Sequence, residues 1–144
     1  MVSLSALMTF VHLLGLVLGV GAATVKLVLL IRCKADQSFM PAYLKVVRPI
    51  TQLLVLGLVL LTLSGIVILL IGYPWSDLLL VKLILVGVIW ILGPVIDNVV
   101  EPKFSTEADA MGSPAFLRVQ QQYLTLEMVA TGLFYVIIAL WVLL

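Results

Sequence analysis

Four stretches of this chain are apolar over a length that crosses a lipid bilayer, and that feature constrains the fold more than any motif does. A bilayer core is about 30 Å thick, so a spanning helix needs about 20 largely apolar residues. The first stretch is Leu4 to Ile31, broken by His12 and Lys26. The second is Ile50 to Ile71, and the third is Leu78 to Val100, broken by Lys82 and Asp97. The fourth is residues 120–144, largely apolar from Tyr123 and broken by Glu127. Backbone polar groups in lipid must bond internally, which leaves helices or closed barrels. A barrel strand alternates apolar and polar residues. Leu53-Leu54-Val55-Leu56 and Ile66-Val67-Ile68-Leu69-Leu70 do not alternate. The expected class is all-α, a polytopic four-transmembrane-helix bundle forming a single transmembrane domain over residues 1–144.

Composition closes the alternatives. The chain has 144 residues, 64% hydrophobic and 10% charged. A soluble domain is about 45–50% apolar and about 25% charged. There is too little polar surface here for a soluble enzyme, a nucleic-acid binder or a disordered tail. The net charge of +1 gives no field to draw nucleic acid, so none is expected as a partner. The only cysteine, Cys33, excludes an internal disulfide framework and a cysteine metal cluster. The only histidine, His12, excludes a multi-histidine site within one chain.

Loop charge predicts the orientation. Arg32, Lys34, Lys45 and Arg48 flank the first connection, and Lys103 and Arg118 flank the third. The Met1 end and the Gly72–Asp77 connection carry no Lys or Arg. The positive-inside rule then puts the first and third connections in the cytoplasm and both termini outside. Tyr73, Trp75 and Trp141 fall at the outer interface, where amphipathic aromatics favour the headgroup layer. Gly21-Ala22-Ala23 is similar to a signal cleavage site, but no positive charge precedes the apolar run, so the first helix is expected to stay uncleaved. Ser113-Pro114 reads as an N-cap followed by Pro at the first helical position. Arg48-Pro49 marks a kink or a start at the second span, and Glu101 to Gly112 is the one segment polar enough for a real loop.

At about 100° per residue, three stripes emerge. The first joins His12, Gly15, Gly19, Ala23 and Lys26; the second Gly87, Trp90, Pro94 and Asp97; the third Gln120, Tyr123, Glu127, Thr131 and Phe134. Each is expected to face the bundle interior. Gly15 and Gly19 either allow close helix packing, or form a homo-oligomer or complex interface, or leave room for a flat cofactor. Ionisable side chains are costly at the centre of a span and are usually given partners. In depth they form two layers. Lys26 lies opposite Asp97 and Glu127 in the cytoplasmic half, as a buried polar network that is either structural or a proton or ion path. His12 and Lys82 lie in the outer half. There, His12 is either a packed, hydrogen-bonded residue or a ligand to haem iron, and Lys82 either snorkels outward or serves as a second axial ligand or propionate partner.

Phe10-Val11-His12-Leu13-Leu14-Gly15 with the Gly/Ala-rich stretch and Arg32 after it, and Trp75 followed by Leu80-Val81-Lys82-Leu83, carry a family resemblance. The chain resembles small four-helix bacterial membrane proteins related to the HemJ-type protoporphyrinogen oxidase, and the families grouped with copper-resistance protein D. It looks closer to their uncharacterised members, since Val17-Leu18-Gly19-Val20-Gly21 replaces an aromatic-rich stretch and there is no second His. The resemblance implies a bacterial inner-membrane protein binding haem b, with His12 and Lys82 at the family's first-helix His and third-helix Lys.

Three functions follow as expectations. The first is a haem b-binding redox protein with His12 as axial ligand to the haem iron. The second is a non-catalytic accessory or structural subunit of a membrane complex. The third is a small transporter or proton conductor using Lys26, Asp97 and Glu127. No catalytic residue is identified: there is no phosphate-binding glycine loop, no nucleophile with a base and no zinc spacing.

Overall fold

A computed structural model describes residues 3–142. The last two residues of the expected fourth span, Leu143 and Leu144, and the Met1 end lie outside the described residues. The chain forms a bundle of four long helices. Helix α1 covers Leu4–Ala35 and α2 covers Met40–Leu70. Helix α3 covers Asp77–Val95, continues through a π-helical turn at Ile96–Val100, and runs on as α4, Glu101–Glu107. Helix α5 covers Pro114–Val142. All four rods are long and apolar enough to cross a membrane.

The ends are set by local chemistry. Ser3, Ser76 and Ser113 each accept a backbone N–H three residues on, at 3.2, 3.2 and 3.1 Å, which satisfies an orphan donor of the first turn. Arg32 and Lys34 sit in the last turn of α1, where cations complement the helix dipole. Between α1 and α2, Ser38 donates both its N–H and its hydroxyl to Asp36, which holds that carboxyl below the usual carboxylate range. Gly72 and Gly112 have φ of 115° and 86°, so the two turns they close need a residue without Cβ.

Two expectations about breaks are corrected. Of the kink or start expected at Arg48-Pro49, the start is corrected: α2 begins at Met40 and passes through Pro49. Residues 101–107 are helical, not loop. Pro102 lies in the first turn of α4, where its missing N–H is tolerated. The carbonyl of residue 98 thereby loses its usual partner, and the chain widens into the π turn, closed by Glu101 N–H to Ile96 O.

Helix α1 packs against α2 and α5, and α5 packs against α3. The around-the-bundle order is therefore α2, α1, α5, α3. Helices α2 and α3 are joined by a tight turn but are not packed on each other along their length.

The α1–α2 contact is made by glycine. A Cβ on Gly15 would lie 2.8 Å from Leu61 N and 2.9 Å from Gly57 O, and one on Gly57 would meet the Gly19 backbone. The Gly15/Gly19 surface is thus consumed inside the chain: of the three expectations for it the contacts show close helix packing, and the oligomer face and the slot for a flat cofactor are corrected.

The core is in two layers. One gathers Leu30, Cys33, Met40, Tyr43, Phe104, Phe116 and Tyr123. Phe104 sits at its centre, stacked on Phe116 with centroids 5.6 Å apart and edge-on to Tyr43 at 6.1 Å. The other gathers Val20, Ala23, Leu54, Leu58, Ile89 and Phe134. Lys26 on α1 and Glu127 on α5 fall between the two layers in sequence and in depth.

Candidate functional site

Lys26 is 1% exposed and its ammonium touches three carboxylates. Nζ lies 2.9 Å from Asp97 Oδ1, 2.8 Å from Glu101 Oε2 and 2.8 Å from Glu127 Oε1. An ammonium has three donors, so each carboxylate can claim one. The Asp97 contact is a directed hydrogen bond, whereas Glu127 Oε1 is approached off the bonding direction and gains attraction without a directed bond. Nζ also stands 5.7 Å from the centroid of the Tyr123 ring.

A hydrogen-bond chain leads into the cluster. Glu101 Oε2 accepts from Tyr123 Oη at 3.0 Å. Tyr123 has spent its one proton there, so the 2.8 Å contact between the two phenols is Tyr43 Oη donating to Tyr123 Oη. Thr51 Oγ adds a long contact to Glu101 Oε2 at 3.4 Å.

Two of the acids come from one stretch of helix at the π turn. Asp97 lies inside it and Glu101 directly follows. Residues four apart lie on one face of the helix, so both acids point the same way. Residue counting alone misses Glu101, because Glu101-Pro102-Lys103 has the composition of a loop. Its spacing of four from Asp97 was the available signal.

A cleft of about 780 Å³ runs between α2 and α3 and reaches Asp97 and Glu101. These two side chains are 16% and 15% exposed, against 3% for Glu127. Of the α3 stripe of Gly87, Trp90, Pro94 and Asp97, only Asp97 faces the interior as expected, on Lys26. Trp90 and Pro94 line this cleft, Gly87 is exposed, and the only buried residue of α3 is Ile89. The α5 stripe is different: Gln120, Tyr123, Glu127, Thr131 and Phe134 are all buried.

His12 is half-buried on α1, and its Nδ1 lies 2.9 Å from Ser64 Oγ. Ser64 Oγ also lies 2.6 Å from the Leu60 carbonyl oxygen. Two oxygens that close must share the hydroxyl proton, so Ser64 donates to Leu60 and accepts from His12. Neutral His12 is therefore the Nδ1–H tautomer with a lone pair on Nε2. His12 lines a cavity of about 90 Å³ with Leu61, Thr62, Val86 and Phe134 among others. Lys82 does not line it; it is half-buried on α3, one turn from Val86. The structure thus brings Lys26, Asp97 and Glu127 together and adds Glu101, but does not join Lys82 to His12. Among the described residues no group of three or more His, Cys, Asp or Glu side chains is arranged to hold a metal ion. In the acidic cluster, the Lys26 ammonium occupies the place a cation would take.

No family model, curated protein or solved structure matches the chain.

Proposed function

We propose that this four-helix membrane protein is built around an intramembrane proton-exchange centre, in which Asp97, Glu101 and Glu127 share a proton beside Lys26. Such a centre serves a small proton conductor or a proton-coupled carrier. One observation carries the reading: a single ammonium faces three carboxylates between two apolar layers. Fully ionised, the cluster would hold two uncompensated negative charges, a costly state in a low-dielectric interior. A proton taken up by the carboxylates relieves part of that excess, and its release restores it. Two of the three acids line an open cleft, which supplies a route for exchange. A purely structural pair would need one carboxylate for one lysine.

The test uses protein reconstituted in vesicles carrying an internal pH dye and a potassium gradient with ionophore. Flux above empty vesicles, lost in Glu101→Gln, supports the reading. In parallel, infrared difference spectra after a pH jump should contain a protonated-carboxyl band that Asp97→Asn, Glu101→Gln or Glu127→Gln alters. No flux together with no such band overturns it.

A second reading is haem b on His12, which rests on the resemblance to the HemJ-type proteins. The proton count at Ser64 favours it, because a ligating imidazole needs one free nitrogen while the other is held by a hydrogen bond. Space weighs against it. The cavity at His12 is about 90 Å³, room for a few waters at about 30 Å³ each and too small for a porphyrin. Gly15 and Gly19 are covered by α2. A Soret band in protein expressed with ample haem, lost in His12→Ala, would put this reading first; colourless protein would remove it.

A further inference from the structure

The cleft between α2 and α3 carries a polar band between apolar stretches. That band holds Arg48, Thr51, Gln52, Asp97, Asn98 and Glu101, with Tyr43, Val47 and Phe104 lining the cleft beyond it toward α4. At the other end it is lined by Leu54, Val55, Leu58, Trp90, Gly93 and Pro94. Arg48 and Leu58 are ten residues apart on α2, about 15 Å at 1.5 Å per residue. An occupant that reaches from the polar band to Leu58 is polar where it meets the band and apolar over the remaining length. Its volume of about 780 Å³ lies within the range of about 300–1,000 Å³ usual for small-ligand sites.

The charges define the polar band. The cleft is lined by one guanidinium and two carboxylates, with Lys26 buried behind the acids. Every hydrogen bond and ion pair to these acids falls on Asp97 Oδ1 or Glu101 Oε2, among the described residues. Asp97 Oδ2 and Glu101 Oε1 keep their acceptor capacity. Arg48 makes no ion pair among the described residues. A purely anionic headgroup would satisfy Arg48 but be repelled by the acids. A simple cation would satisfy the acids but be repelled by Arg48. A headgroup carrying both charges answers each group, and a primary ammonium can donate to both free carboxylate oxygens.

We propose that the α2–α3 cleft binds a zwitterionic phospholipid with a primary amine, its ammonium on Asp97 and Glu101, its phosphodiester at Arg48 and its acyl chains along Leu54, Leu58 and Trp90. The site shares Asp97 and Glu101 and the cleft with the proton-exchange reading, but its test reads retained lipid and needs no proton to move.

The test is protein reconstituted in nanodiscs containing equal parts of phosphatidylethanolamine, phosphatidylcholine and phosphatidylglycerol, released into mild detergent, with the retained lipid counted by native mass spectrometry. The expected result is enrichment of phosphatidylethanolamine at least threefold over either competitor. Gly93→Leu should return retention to the bulk ratio, because Gly93 lines the cleft and a Cβ there has nothing within 4 Å, so the larger side chain takes up cleft space. Arg48→Gln, at an exposed position, should reduce the enrichment without altering helicity. Retention at the bulk ratio overturns the proposal, as does enrichment that survives Gly93→Leu. Equal retention of the trimethylated choline lipid overturns the ammonium contact, and with it the proposal. Saturation by O-phosphoethanolamine alone, as tightly as by the lipid, would assign the site to a soluble zwitterion and overturn the lipid. Enrichment with neither proton flux nor a protonated-carboxyl band would leave this site standing and remove only the proton-exchange reading.

Discussion

The indole N–H of Trp90 donates to Thr62 Oγ at 2.9 Å, and it is the one side-chain hydrogen bond between α2 and α3 among the described residues. Thr62 has spent its own proton on Leu58 O at 2.8 Å, so it can only accept here. Trp90 lines the large cleft, Thr62 lines the cavity at His12, and Leu58 lines both. The bond therefore closes the bundle between two spaces that would otherwise join. Trp90→Phe keeps an aromatic wall and removes the donor. It should cost about 1 kcal/mol, the worth of an ordinary hydrogen bond. It should also raise the rate at which a thiol reagent labels Leu61→Cys in the smaller cavity. An unchanged labelling rate would show that Leu58 alone forms the seal.

The Lys26 cluster makes an asymmetric prediction. Lys26→Met strands three carboxylates and should destabilise by about 3–5 kcal/mol in detergent unfolding. Glu127→Gln removes one of three competing acids and should cost much less. Adding Glu127→Gln to Lys26→Met should recover part of the loss, giving a coupling well outside additivity. Equal costs for the two single changes would mean that the charges do not act as a cluster.

Glycine scanning of the α1–α2 contact should rank the positions by the space each Cβ would have. Gly57→Ala meets the Gly19 backbone and should cost about 1–3 kcal/mol, the range for overpacking. Gly19→Ala has its nearest neighbour at 3.6 Å and should be tolerated. Gly87→Ala, with nothing within 4 Å, should be neutral or slightly stabilising by helix propensity. Thermal unfolding in one detergent measures all three, and a large cost at Gly87 instead would contradict this packing.

The architecture was legible because lipid leaves few choices: four apolar stretches without alternation can only be helices. The faces were less legible. Periodicity groups Gly87, Trp90 and Pro94 on one side of α3, but the same period serves a core, a cleft or a lipid contact. In a soluble helix the polar side marks the outside; in a bilayer the outside is apolar too, and that marker is lost. The α5 stripe carried its own marker in Gln120, Glu127 and Thr131, which lipid would not accept. Glu101 lay beyond sight for another reason. Pro102 beside it reads as a helix stop, whereas in the first turn of α4 it accompanies a π turn and the helix continues. Ser64 could be found only from the fold, since 52 residues separate it from His12.

Orientation rests on charge asymmetry and has a direct test. Trp75 in the α2–α3 turn and Met111 before α5 are 76% and 45% exposed, so cysteines at both are reachable. With Cys33 replaced, an impermeant thiol reagent applied from outside the cell should label Trp75→Cys and not Met111→Cys. The reverse pattern would invert the topology and place the acidic cluster in the outer half of the membrane.

The Ser64 contact fixes which nitrogen of His12 carries the proton, and this can be read without any ligand. Nδ1–H is selected because Ser64 Oγ, committed to the Leu60 carbonyl, can only accept from it. A ¹⁵N spectrum of neutral His12 should therefore show Nδ1 protonated and Nε2 bare. Ser64→Ala removes the acceptor and leaves a methyl group in the same place. The ring should then populate the Nε2–H tautomer that dominates for free imidazole side chains. The Ser64 change should also cost about 1 kcal/mol or less, because the hydroxyl's own bond to Leu60 disappears together with its burial cost. If wild-type His12 already shows Nε2–H, Nε2 is not free to accept, and the argument for a ligating imidazole fails with it. If Nδ1–H is found and Ser64→Ala reverses it, the lone pair on Nε2 is held in place by α2, and any ligand to His12 must approach from the Nε2 side.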